Sequence, residues 1–201
     1  MIFFLYMFIV KVLFFNKNNK YKMSNDYKSV GDALLEQDVH SKISKQCKMC
    51  IVELGILNGD TTKIFLENSN VRVYGIDPII PDSMNEKLIG DLNKILDLKK
   101  FSNFIFIQDY SFNVIKNWNE SISYLFIDAS HLYSDVERDF NDWFPFLING
   151  GYISFHDSAA NRGGPYWWDG PSKFVDEIIM NDDRLEYVET VFSMTVFKKI
   201  K

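Results

Sequence analysis

The stretch Val52-Glu53-Leu54-Gly55-Ile56-Leu57-Asn58-Gly59-Asp60-Thr61-Thr62 begins as an apolar strand and ends as the start of a helix, with Gly55 and Gly59 in the turn between. Glycine at such a junction permits a tight turn and lets backbone approach a ligand closely. The spacing is not the three-glycine dinucleotide pattern, since only these two glycines are present. Taken alone, the segment also reads as a plain strand-to-helix turn capped by Asp60 or Thr61. Its weight comes from what surrounds it.

Upstream, residues 27–44 have a helical pattern, with Val30, Ala33, Leu34, Leu35, Val39 and Ile43 on or near one stripe. Downstream, short β-branched and aromatic runs alternate with helical stretches. Strands are expected at 49–54, 71–76, 104–108, 124–127 and 152–155. Helices are expected at 61–68, 85–98, 134–147 and 171–180, with a short one through Val114 and Trp118. Two last strands, 185–190 and 192–198, have no helix between them. Alternation implies a mainly parallel sheet covered on both faces, and the tight turn joining the last pair requires antiparallel neighbours. The fold class is therefore α/β, a doubly wound, mostly parallel seven-stranded sheet with one antiparallel strand near the C-terminus. In such sheets ligands bind at the carboxyl ends of the strands, near the switch in strand order.

The length of 201 residues fits one domain. A net charge of −5 argues against a broad phosphate-binding face, so nucleic acid is not expected as a partner and a small-molecule substrate is favoured. Cys47 and Cys50 form a C-x-x-C pair, but His40, His131 and His156 lie elsewhere in the sequence. They read as two reduced thiols, which favours a cytoplasmic setting. Residues 1–15 are apolar apart from Lys11, shorter than a membrane span of ~20 residues and without the marks of a cleaved signal. Residues 1–22 are therefore read as an extension before a working start at Met23, the alternative being a weak membrane anchor, and residues 23–201 as the domain.

The expected strand ends carry acidic residues. Asp77 closes the second, in Gly75-Ile76-Asp77-Pro78, where a carboxylate can accept from both ribose hydroxyls of a nucleoside; an Asp-Pro turn is the plainer reading. Asp109 follows the third strand and could accept from an adenine amino group or cap a helix. The fourth and fifth strands end in Ile127-Asp128-Ala129-Ser130-His131 and Ile153-Ser154-Phe155-His156-Asp157-Ser158. Aspartates at neighbouring strand ends converge, and two carboxylates that close are costly without a cation. Mg²⁺ with oxygen ligands resolves that conflict and leaves positions for substrate oxygens.

These strings, with Gly150-Gly151 before the fifth strand and the tail Trp168-Asp169-Gly170-Pro171-Ser172-Lys173-Phe174, resemble the class I S-adenosylmethionine-dependent methyltransferases. The nearest resemblance is to the macrocin O-methyltransferase-like and cephalosporin-hydroxylase-like subgroup. The resemblance runs from about Cys50 to Lys198 and implies a Rossmann-like fold. It further implies that Glu53, Gly55 and Gly59 line the methionine and ribose part of S-adenosylmethionine. Asp77 would bind the ribose, Asp109 would lie by the adenine, and Asp128 would border the cofactor. Asp128 and Asp157 would hold Mg²⁺ or another divalent cation, with Ser158 in the place of the third ligand. A hydroxyl is a weak ligand, so water or His156 could replace it. His131 stands where such families put a general base.

The implied reaction is metal-assisted O-methylation of a small hydroxylated substrate, sugar or natural-product-like. Tyr166, Trp167 and Trp168, flanked by Gly163, Gly164 and Gly170, could form a lid or merely pack on the last helix. A homo-oligomer is compatible with the sequence. The competing reading is a non-catalytic cofactor-binding domain acting through a protein partner, but the presence of Asp128, His131 and Asp157 favours catalysis.

Overall fold

In a computed structural model of the chain, residues 26–79 and 91–201 are described; the extension at residues 1–22 lies outside them. Strand β1 (Cys50–Leu54) is buried along its whole length, as expected of a parallel strand covered on both faces. Helix α1 (Asp26–Ser44) precedes it. Then follow α2 (Asp60–Asn68), β2 (Val73–Ile76), α3 (Leu92–Asp97), β3 (Phe104–Ile107), α4 (Ser111–Val114), β4 (Ile122–Ile127), α5 (Tyr133–Trp143), β5 (Leu147–Phe155), α6 (Asp169–Glu177), β6 (Leu185–Val191) and β7 (Met194–Lys199).

Side chains alternate across a strand, and here the alternation divides the core in two. Val52, Leu54, Leu125, Ile127, Ile153 and Phe155 face Val136, Phe140 and Trp143 of α5 and Phe174 of α6. Ile51, Tyr124 and Phe126 face the other way, onto Val39 and Ile43 of α1, Phe65 of α2 and Ile95 of α3. The strand order is β3-β2-β1-β4-β5-β7-β6. β7 runs antiparallel to both its neighbours and the other pairings are parallel, so the sheet is the expected one. The order switches between β1 and β4, where a doubly wound sheet opens its ligand crevice.

Several boundaries differ from those read in the sequence. The helix expected at 134–147 stops at Trp143, a 3₁₀ turn covers Phe144–Phe146, and β5 starts at Leu147. Pro145 lies in that turn, and it cannot supply the N–H that a continuing helix needs. By contrast, Pro171 sits inside the first turn of α6, where the N–H has no intrahelical partner anyway. Of the helix expected at 85–98, the part from Leu92 to Asp97 is helical, with Asp91 accepting from the backbone N–H of Asn93 and Lys94. Residues 80–90 lie outside the described part.

The buried face of α1 differs from the expected stripe. Leu34 and Leu35 are 57% and 55% exposed, whereas Glu36, Val39, His40, Ile43 and Ser44 are buried. Positions 36, 39, 40 and 43 form one helical stripe, and its polar members are acceptable because each finds a partner. His40 Nδ1 lies 2.8 Å from the Tyr124 hydroxyl, with Phe65 and Phe126 edge-on to its ring. Burial pushes its pKa down to about 3, so the ring is neutral.

Phe65 is fully buried between this cluster and Tyr124. Phe65→Ala is expected to cost about 3–5 kcal/mol. Urea titration would read this as a lower midpoint at unchanged slope.

Candidate active site

The sheet continues one residue past its formal strand ends. Asp77 N donates to Ile107 O (3.2 Å), Gly55 N to Ile76 O (2.9 Å), Asp128 N to Leu54 O (2.9 Å) and His156 N to Ile127 O (3.1 Å). Asp77, Gly55, Asp128 and His156 therefore stand in one row across the ends of β2, β1, β4 and β5. Residues in parallel register point their side chains the same way, which makes the side chains of Asp128 and His156 neighbours.

Gly55 has φ 84°, and a Cβ there would lie 2.2 Å from the carbonyl oxygen of Asp128 and 2.6 Å from Ala129 Cα. Here the glycine serves the contact between two strand ends. Gly59, with φ 74°, keeps clear of Leu98, whose Cδ1 would be 2.7 Å from an added Cβ. Between them Leu57 has φ 48°, a conformation uncommon outside glycine. Asp77 braces this strained turn. Its Oδ2 accepts from the N–H of Ile56 and of Leu57, each at 2.9 Å, and its Oδ1 from Ile79 N at 2.8 Å. A carboxylate has about four acceptor positions, so room for one further donor remains.

Glu53 lies beneath the row and faces α2, where its Oε2 accepts from Thr62 Oγ1 at 2.5 Å. Burial pushes its pKa well above the carboxylate range, against the opposing Thr62 hydrogen bond. Asp109 bonds locally, just ahead of α4, and does not cap that helix. Its Oδ1 accepts from Asn113 Nδ2 at 3.0 Å and from Tyr110 N at 2.7 Å, and these bonds hold its pKa below the usual value.

The remaining site residues form a cluster of carboxylates and imidazoles. His131 Nε2 lies 2.9 Å from Asp157 Oδ2. His156 Nδ1 lies 3.1 Å from Asp128 Oδ1 and 3.3 Å from Asp157 Oδ1. Asp157 is only 4% exposed and has φ 53°. Among the described residues, His156 Nδ1 and Asp157 Oδ1 are both buried without a well-directed hydrogen bond. Burial opposes charge on His156, but the adjacent Asp128 and Asp157 carboxylates outweigh it and hold its pKa well above the histidine range. Burial likewise opposes charge on Asp157, but His156 and the His131 hydrogen bond bring its pKa below the carboxylate range. Asp128, His131 and Asp157 each offer a ligand atom within 4.8 Å of the others.

Ser158, expected as the third ligand, is turned elsewhere. Its hydroxyl donates to Phe155 O (2.7 Å) and bonds Thr195 Oγ1 (2.8 Å) in a fully buried position. Two residues absent from the sequence reading stand behind His156 instead. Ser193, between β6 and β7, places Oγ 3.0 Å from His156 Nε2. Its N–H and hydroxyl both donate to Glu36 Oε1 on α1, at 2.9 and 2.8 Å. The spacing of Glu36, Val39, His40 and Ile43 was the available signal for this buried acid.

Over the cluster, Trp168 stacks on His131 with ring centroids 4.6 Å apart and planes 16° from parallel, and Trp167 meets Phe192 edge-on. Tyr166 is exposed and bonds Asp169. Of the three glycines expected as hinges, two are close-packing positions. A Cβ on Gly164 would lie 2.1 Å from Phe192 O, and one on Gly170 would lie 2.2 Å from His131 O. Cys47 and Cys50 are free thiols, and burial pushes both up to about 12.

Gly55→Ala combines left-handed backbone with a backbone clash, so a loss of about 2–4 kcal/mol is expected in thermal or urea unfolding. Glu53 has a folded pKa above its unfolded one, so the folded state binds the extra proton and stability falls as pH rises beyond the ordinary glutamate range. Glu53→Gln should therefore be more stable than wild type at pH 7, with the difference vanishing near pH 4.

The described residues contain no helix long and apolar enough to cross a membrane. A methyltransferase-domain family matches residues 52–158. An uncharacterised protein of Acanthamoeba polyphaga mimivirus is 29% identical over 133 residues, 63% of this chain; the chain spans 59% of that relative's length. The apo TDP-rhamnose 3′-O-methyltransferase of calicheamicin biosynthesis superposes with a TM-score of 0.59 at 14% identity, covering 98% of this chain and 93% of that one. The S-adenosylhomocysteine-bound methyltransferase PaMTH1 of Podospora anserina gives 0.61 at 16% identity, covering 83% and 79%. At such identities the two structures share the fold. The family match spans more than half of the chain and contains the glycine turn, Asp77, Asp128, His131 and Asp157: the chain belongs to the S-adenosylmethionine-dependent methyltransferase-domain family.

Proposed function

We propose that residues 23–201 form a methyltransferase domain that transfers the methyl group of S-adenosylmethionine to a hydroxyl of a small substrate, with His131 as the base. The observation that carries this reading is the His131–Asp157 pair at 2.9 Å, beside Asp128 at the strand-order switch. Methyl transfer is an in-line displacement, so the protein must align an oxygen nucleophile and remove its proton. Asp157, buried and anionic, orients His131 through Nε2 and stabilises the imidazolium that forms when the ring takes a proton. Trp168, flat against that ring, fixes its plane and keeps water from one side.

The cofactor reading rests on the turn between β1 and α2. Asp77 has an acceptor position left for a ribose hydroxyl. Gly55 and Gly59 keep side chains out of the turn, and Asp128 borders it. Glu53 acts from below, through Thr62, and Asp109 stands farther out, by the adenine.

The donor set fits a divalent cation. Two carboxylates from adjacent strand ends converge, and the buried Oδ1 of Asp157 lacks a hydrogen-bond partner. Asp128 and Asp157 would hold the ion, which when bound lowers the pKa of a substrate hydroxyl. For the acceptor, the TDP-rhamnose methyltransferase of similar fold favours a sugar hydroxyl.

Incubating the protein with methyl-labelled S-adenosylmethionine and a panel of nucleotide sugars and hydroxylated natural products tests the reading. Label is expected on a hydroxyl oxygen, and His131→Ala should lower kcat by about 10²–10⁴-fold without a comparable loss of S-adenosylhomocysteine affinity. Label arriving only on nitrogen, or full turnover in His131→Ala, would contradict it.

A further inference from the structure

His156 is the residue whose chemistry the proposed reaction leaves unused, and its surroundings are specific. Its Nδ1 is buried, lies 3.1 Å from Asp128 Oδ1 and 3.3 Å from Asp157 Oδ1, and forms no well-directed hydrogen bond with either. A carboxylate oxygen from each of two adjacent strand ends thus flanks this nitrogen. On the opposite edge of the ring, the Ser193 hydroxyl gives its hydrogen to Glu36, so its oxygen is free to accept from His156 Nε2–H. That bond keeps a ring hydrogen on Nε2, so a cation that displaces the proton from Nδ1 would meet a lone pair directed toward the carboxylates. Metal-binding histidines are commonly arranged this way, with the far nitrogen donating into a group that a carboxylate anchors.

We infer that His156 is the third protein ligand of the divalent cation, through Nδ1, and that Glu36 and Ser193 are the positioning residues that aim it. This rests on the metal reading above and extends it. Ser158 is committed to Phe155 O and Thr195, so an Asp–His–Asp set replaces the expected oxygen set. Mg²⁺ is a hard ion that favours oxygen donors in octahedral array, whereas affinity for a site with a nitrogen donor rises along the first-row divalent series from Mn²⁺ through Fe²⁺ to Co²⁺. The site therefore prefers an ion such as Mn²⁺ or Co²⁺ to Mg²⁺. His131 is left to its role as base.

Calorimetric titration of the full chain with Mn²⁺ and with Mg²⁺, joined to pulsed electron paramagnetic resonance of the Mn²⁺ complex, tests this directly. Wild type is expected to bind Mn²⁺ more tightly than Mg²⁺ by about an order of magnitude, with the ¹⁴N coupling of one directly bound imidazole. His156→Asp should lose the coupling and the preference for Mn²⁺, while His131→Gln should keep both. Glu36→Gln should weaken Mn²⁺ binding by about 10–100-fold. Retained S-adenosylhomocysteine binding checks that each variant is folded. Mn²⁺ bound to wild type without ¹⁴N coupling, or coupling lost in His131→Gln and kept in His156→Asp, overturns the inference while the metal reading stands. No divalent binding to wild type overturns both.

Discussion

Gly55 brings the end of β1 against the backbone of Asp128 and Ala129, at a distance that leaves no space for a Cβ. This contact lies at the strand-order switch, where the connections from β1 and β4 depart and a crevice forms. It fixes how far the β1 turn stands from the end of β4. Asp77 then holds the turn from its other side, through the N–H groups of Ile56 and Leu57. A glycine and a carboxylate on neighbouring strands thus define the geometry into which the remaining site residues are set.

The charged residues of the site follow from the same placement. Parallel register makes His156 the neighbour of Asp128, and Asp157 turns inward at positive φ. Buried carboxylates need compensation, and two imidazoles provide it from different directions. His131 reaches Asp157 from the loop before α5, under Trp168. His156 comes from within the sheet, backed by Ser193 and by Glu36 of α1. Helix α1 therefore contributes a side chain to the rear wall of the site as well as apolar cover for the sheet.

Much of this was legible in the sequence, because strand-end residues are read from local pattern alone. The alternation of strands and helices, the single antiparallel strand and the convergence of Asp128 with Asp157 need only periodicity and topology. The fates of Ser158, Glu36 and Leu34 were harder to read. Whether a hydroxyl beside Asp157 points into the crevice or back at Phe155 O depends on one backbone conformation, and the positive φ of Asp157 has no sequence marker. Leu34 and Leu35 sat on the expected stripe of α1, yet Glu36 and His40 are buried in their stead. Partners distant in sequence, Ser193 and Tyr124, decide that burial. Gly164 and Gly170 mislead for a related reason: close backbone approach and hinge motion call for the same residue.

The row Asp77–Gly55–Asp128 is proposed to border the pocket for S-adenosylmethionine. Calorimetric titration of the folded full chain with S-adenosylhomocysteine, in wild type and in Asp77→Asn, tests it most directly. The asparagine keeps an oxygen for the turn's N–H groups and removes the charge proposed to face the ribose. Saturable one-to-one binding that weakens strongly in Asp77→Asn is the predicted result. A folded wild type that binds no S-adenosylhomocysteine, or a variant that binds it equally well, would contradict the account.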